Sequence, residues 1–179
     1  MTKRFLATAT ALALIGCSQA ADEPDAAGAA LLKPFKAELK EALVAGMQKG
    51  PATAIEICSD KAPQIAASLS VDGVVMGRSS HKLRNPENAS PAWLAPLVDK
   101  WAAEGIRADD VGRLTGAAIK LDDGRYGYAE PIFVQPLCLT CHGKELAPDI
   151  AARIEALYPD DDATGFDVGD FRGAFWVEF

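Results

Sequence analysis

Histidine and methionine are scarce in this chain of 179 residues: there are two histidines, His81 and His142, and three methionines, none beyond Met76. Basic residues are also in the minority, 18 against 25 acids, for a formal net charge of −7. An acidic body of this kind carries no electrostatic footprint for nucleic acid or anionic lipid. Past residue 20 no apolar run is long enough to cross a bilayer, and there are no repeats or low-complexity tracts. The four cysteines do not divide as a disulfide framework would: Cys17 is near the start, Cys58 stands alone, and Cys138 and Cys141 form a close pair. With 49% hydrophobic and 24% charged residues, what is present is the composition of a single globular domain.

The opening stretch, MTKRFLATATALALIGCSQAADEPD, reads as an export signal over residues 1–20. Lys3 and Arg4 form its basic end, and Phe5 to Ile15 form an apolar core too short to span a membrane. Two processing outcomes compete. Ser18-Gln19-Ala20 offers small residues for ordinary cleavage, whereas Leu14-Ile15-Gly16-Cys17 resembles a bacterial lipobox and makes Cys17 a lipidation site. Both place the mature protein outside the cytoplasmic membrane, in the periplasm, with membrane contact only through an N-terminal lipid. Residues 21–30, small and acidic, read as a flexible tether to a domain over 31–179.

Leu31, Phe35, Leu39, Leu43 and Met47 recur every fourth residue and predict a helix, with Pro34 in or near its first turn. Gly50-Pro51 ends it and begins a second, on which Ile55, Cys58, Ile65 and Leu69 share a side and Pro63 marks a bend or restart. A β-like run follows around VVMG, then a polar loop, then a helix carrying Trp93, Leu97 and Trp101 and ending near Gly105. Asp123-Gly124 signals a hairpin between two strand-like runs. A short helix with Ile150, Ile154 and Leu157 inward comes next, and RGAFWVEF closes as a strand, with Ala174 and Trp176 alternating against Phe175, Val177 and Phe179. Strands in hairpin order flanked by helices predict an antiparallel α+β domain.

The chemistry lies in PLCLTCHGKEL. Cys138-Leu-Thr-Cys141-His142 is the C-x-x-C-H arrangement that attaches a haem covalently: two sulfurs reach two vinyl groups, and the next residue turns its imidazole to the iron. A zinc site needs two further ligands, and a thiol redox pair has no special use for His142. No histidine or methionine follows His142, so a second axial ligand comes from upstream. Cys58, Met47, Met76 and His81 are the candidates, or the position is open. Met47 and Met76 fit their elements as core residues. His81, among charges, suits an exposed or propionate-contacting place, and an unpaired Cys58 on an apolar segment serves equally as packing or as ligand.

AIEICSDKAPQIA, GRSSHKLRNPENASPAW, CLTCHG and YPDDDATGFDVGDFRGAFWVEF together resemble the family of exported c-type haem domains with a PAS-like fold and cysteine/histidine axial ligation, domains that also occur as sensory modules. The resemblance covers residues 31–179. It implies one covalent haem c on Cys138 and Cys141, His142 as proximal ligand, Cys58 as distal thiolate, and Arg78, Lys82 and Arg84 near the haem or its propionates. Ser79-Ser80 stands where the family pattern has Thr-Ser, which keeps a hydroxyl. The implied function is redox or diatomic-gas sensing by a stand-alone unit rather than an enzyme. The partner is then a small gas ligand or a redox protein, the latter basic to suit the acidic body. A low-potential electron-transfer cytochrome is the alternative. A peroxidase-like haem enzyme is a third reading, in which Arg78, Arg84 and His81 assist, but a bound Cys58 blocks its open site.

Overall fold

The computed structural model describes residues 22–110 and 116–179, so the export segment, Cys17 included, lies outside the described residues. In chain order the elements are α1 (Asp22–Lys49), α2 (Pro51–Leu69), β1 (Val75–Ser79), α3 (Ala95–Ala103), β2 (Ala117–Lys120), β3 (Tyr126–Phe133), α4 (Leu139–His142), α5 (Pro148–Leu157) and β4 (Phe171–Glu178). The four strands form one antiparallel sheet in the order β1-β4-β3-β2. This is the antiparallel α+β architecture expected from the sequence.

The sheet is covered on both faces because β4 alternates as its sequence suggests. Val177, with Met76 and Tyr128, packs under Leu32 and Phe35 of α1, joined by Phe175 and Phe179. Ala174, with Ala129 and Phe171, packs under Leu94, Val98 and Trp101 around α3, joined by Trp176. Burying both faces of a strand removes apolar area from water twice over, which suits β4 to its central place. The Asp123-Gly124 turn closes the β2–β3 hairpin, with Gly124 N–H bonded to Leu121 O at 3.0 Å.

Three expectations for the N-terminal part are corrected. Residues 22–30, expected as a tether, are the first turns of α1. They are docked: the Asp25 carboxylate accepts the Ala118 N–H at 2.5 Å, and Gly28 lies so close to Tyr128 that a Cβ there would sit 2.3 Å from the ring. Small residues that read as flexible in isolation are here the ones that let a helix approach the sheet. Pro34 consequently lies well inside α1 rather than in its first turn. On α2, Pro63 interrupts nothing, because the helix runs through it to Leu69.

One irregularity positions the site. The β3–β4 register pairs Ile132 with Gly173 but Phe133 with Phe171, so β4 has one residue more than its partner at this point. Gly173 has φ 151°, a conformation open to glycine, and a Cβ there would lie 2.1 Å from Ser79 O. Through this bulge Phe171 and Ala174 share the α3 face, and Arg172 turns to the other side.

Candidate functional site

β3 delivers the chain into the C-x-x-C-H turn. A 3-10 turn over Pro136–Cys138 runs directly into α4, and Gly143 ends it. The turn is fixed at both ends by backbone bonds. Val134 N–H reaches Asp170 O at 2.9 Å, and Phe166 N–H and Gly165 N–H reach His142 O and Gly143 O, each at 3.0 Å. His142 Nδ1–H donates to Ala163 O at 2.6 Å, which leaves Nε2 as the lone-pair nitrogen. Burial first, then Arg172 and Arg84, pushes the His142 pKa down to about 3, so the ring is held in the neutral form that ligates metals.

Cys138, Cys141 and His142 line a cavity of about 350 Å³ that is also lined by α2, with Cys58, and by the end of α1, with Leu43 and Met47. That size falls within the range of about 300–1,000 Å³ usual for small-molecule and cofactor sites. Burial raises the Cys58 thiol above its ordinary pKa, opposed by the positive charges of Arg78 and Arg84. A metal is therefore needed to displace its proton.

The cavity wall has charge of one sign. Lys36, Lys40, Arg78, Lys82, Arg84 and Arg172 line it, and among the described residues no aspartate or glutamate does. In a protein with 25 acids this lining is suited to an anionic occupant. The cations differ in how far they are already engaged. Lys36 is paired with Glu130. Arg84 and Asp161, side chains 14% and 8% exposed, form a two-point pair (Nε–Oδ1 3.0 Å, Nη2–Oδ2 3.1 Å), and Nη2 also donates to Cys141 O at 2.6 Å. Arg84 thus clamps the motif turn from behind. Lys82 Nζ donates to Thr164 O at 3.2 Å and lies over the Phe166 ring. The Arg78 guanidinium has no hydrogen-bond partner among the described residues, and burial lowers its pKa.

Arg172, which sequence reasoning missed, completes the wall. Its Nη1 donates to Ser80 Oγ at 2.7 Å and Lys82 O at 3.1 Å, its Nε is buried without a partner, and burial followed by Arg78 and Arg84 brings its pKa to about 10. Tyr158 also lines the cavity, and Asp161 and Ala163 support it from outside. Of the other proposed axial ligands, Met47 lines the cavity and Met76 is buried in the α1 core.

His81 is not in the cavity lining. It is exposed over a separate groove, its ring stacked on Phe171 at 5.5 Å. Burial, Arg172 and Lys82 lower its pKa from the usual 6.5. The unfolded chain therefore takes up a proton before the folded one does, and stability falls as pH drops below about 6.5. Wild type should lose more of its urea midpoint between pH 7 and pH 5 than His81→Gln does, by a modest amount since the ring is exposed. Equal losses would count against the depressed pKa.

Among the described residues no three histidine, cysteine or acidic side chains converge as a metal cage. Cys58, Cys138, Cys141 and His142 are distributed around one space instead, as suits a macrocycle carrying its own metal rather than a bare ion. The donor set fits such a group: two thiols, an imidazole with a free Nε2, a third thiol, and cations for carboxylates.

Fold and site together define an α+β domain in which one cation-lined cavity is served by a C-x-x-C-H turn and a solitary cysteine. The chain belongs to the Tll0287-like family, whose model matches residues 31–179. Among solved structures it is similar to the crystal structure of the cyanobacterial heme-protein Tll0287, at 25% identity and a TM-score of 0.55, over 81% of this chain and 89% of that one. No curated protein matches the chain.

Proposed function

We propose that the chain is an exported mono-haem c-type protein whose iron is held between His142 and the Cys58 thiolate, acting as a redox or diatomic-gas sensing domain. The observation that carries this reading is that Cys58 and the Cys138, Cys141 and His142 of the motif, from two stretches 80 residues apart in sequence, line the same cavity. The heme-protein relative supports it. A haem supplies a one-electron iron centre with two carboxylates. Cys138 and Cys141 carry the thioethers, and His142 presents Nε2 because Ala163 O takes Nδ1–H. Arg78 and Arg172, two buried cations that line the cavity, suit the carboxylates, while Arg84 is taken by Asp161. Thiolate donation stabilises ferric iron and lowers the potential. Cys58 would also be the ligand free to leave on reduction or protonation, which would open a position for CO or NO.

A low-potential electron-transfer cytochrome is the second reading, favoured by the aromatic contacts that run from His142 toward the surface. Electron paramagnetic resonance of the ferric protein tests the ligand set. A low-spin thiolate signal in wild type should vanish in Cys58→Ala, and identical spectra would return Cys58 to mere packing. Carbon monoxide then separates the two functions. Uptake by the reduced wild type is expected for a sensor, whereas unchanged six-coordinate ligation without uptake leaves electron transfer.

A further inference from the structure

His81 is the one histidine the proposed haem site does not use, and its surroundings are ordered in a way that ligand binding does not explain. Its ring is exposed at the groove bounded by Arg107, Asp170 and Phe171. One face stacks on Phe171, interplanar angle 14°, and Phe166 meets it edge-on at 5.9 Å. Phe166, 6% exposed, meets His142 edge-on at 6.4 Å. A single buried ring therefore separates the exposed imidazole from the imidazole that faces the cavity.

That ring is held from several sides. Its backbone N–H is bonded to His142 O, and Lys82 Nζ and Arg172 Cζ each lie 5.4 Å from its centroid. Two cations against one aromatic ring stabilise electron density on it. Electron tunnelling weakens steeply with distance and further across gaps, so a close-packed ring between two imidazoles is a favourable bridge.

We propose that His81 is the electron port of this protein, with Phe166 as the bridge to His142. The inference rests on the haem reading above and deepens it, by naming where the electron enters and leaves. One electron passes from a reduced one-electron carrier protein at the groove to ferric iron, which becomes ferrous while the carrier is oxidised. No atom, bond or proton passes between the carrier and this protein. In a sensor this is the input, and in an electron carrier it is the working surface.

With only two histidines in the chain and His142 buried at the cavity, a ruthenium(II) polypyridine label can be directed to His81. After a laser flash the excited ruthenium(II) gives one electron to ferric haem and becomes ruthenium(III), and the return reaction resets the pair. In labelled holoprotein, Phe166→Leu should slow this transfer several-fold, and Phe166→Tyr, which keeps the ring, should restore it. Equal rates in wild type and Phe166→Leu would overturn the port. If the leucine variant does not fold, carboxyethylation of His81 in unlabelled wild type is the measure. Electron exchange with hexaammineruthenium should fall several-fold, and an unchanged rate would overturn the proposal equally.

A readout independent of haem is the nuclear magnetic resonance spectrum of Cys138→Ser/Cys141→Ser protein from which haem has been extracted. The carbon-bound ring protons of His81 should carry ring-current shifts that move in Phe166→Leu, and their absence would also overturn the contact. Haem spectroscopy before labelling separates the two failures. Holoprotein with intact ligation but no Phe166 dependence removes only the port. Protein without covalent haem removes the function reading and the port with it.

Discussion

Wild-type protein produced with a cytochrome c maturation system is expected to keep its haem through acid–acetone extraction, and Cys138→Ser/Cys141→Ser protein to lose all of it. On the proposed attachment these two sulfurs are the only covalent links to the porphyrin, because Cys58, on α2, is assigned to the iron. Without them, retention depends on coordination by His142 and Cys58 and on the cationic wall, and acid abolishes all three by protonating imidazole, thiol and carboxylates. Each single variant should retain one thioether and show a red-shifted pyridine haemochrome. Wild-type haem that extracts into acetone would end the c-type assignment, whatever the fold.

The second large effect concerns stability. Asp161→Ala leaves the Arg84 guanidinium, 14% exposed, without its counter-ion. Removing one partner of a buried ion pair costs about 3–5 kcal/mol, chiefly because the remaining charge is uncompensated. The loss here also reaches the motif, since Asp161 Oδ1 accepts the Ala163 N–H at 3.0 Å and Ala163 O orients His142. Urea unfolding should show the full cost in Asp161→Ala. The double variant Asp161→Ala/Arg84→Met should recover most of it, because neither charge of the pair is then left uncompensated. A cost below about 1 kcal/mol, the range of an exposed pair, would show that the clamp is solvated.

How far these residues could be read from the sequence depended on the distance over which each pattern acts. The hairpin at Asp123-Gly124 is a local signal, and so is the two-residue alternation of Ala174 and Trp176 against Phe175, Val177 and Phe179. The C-x-x-C-H turn is equally local. Cys58 came into view through its solitude and its flanking block. The role of Arg84 was not legible, because its partner is 77 residues away, one acid within the run Asp160-Asp161-Asp162. The docking of residues 22–30 was hidden for the same kind of reason: its cause is the Tyr128 ring, far along the chain. Arg172 was missed through arithmetic. Counting back by twos from Trp176 and Ala174 assigns it to the α3 face, and only the extra residue at the bulge turns it to the cavity.

That same extra residue also sets how the strand would respond to shortening. Deleting a residue from a regular strand throws everything on one side of the cut onto the opposite face. The exception in β4 is Arg172-Gly173, because the register steps from Phe171 opposite Phe133 to Gly173 opposite Ile132 and leaves Arg172 without a β3 partner. Excision of Gly173 would let Arg172 take the place opposite Ile132, restoring plain alternation while Phe171 still faces α3 and Arg172 still faces the cavity. What would be lost is the local bend and the clearance from Ser79 O, not the assignment of side chains to faces. The two sides of this sheet are therefore protected against a one-residue deletion at the very position where substitution has least room.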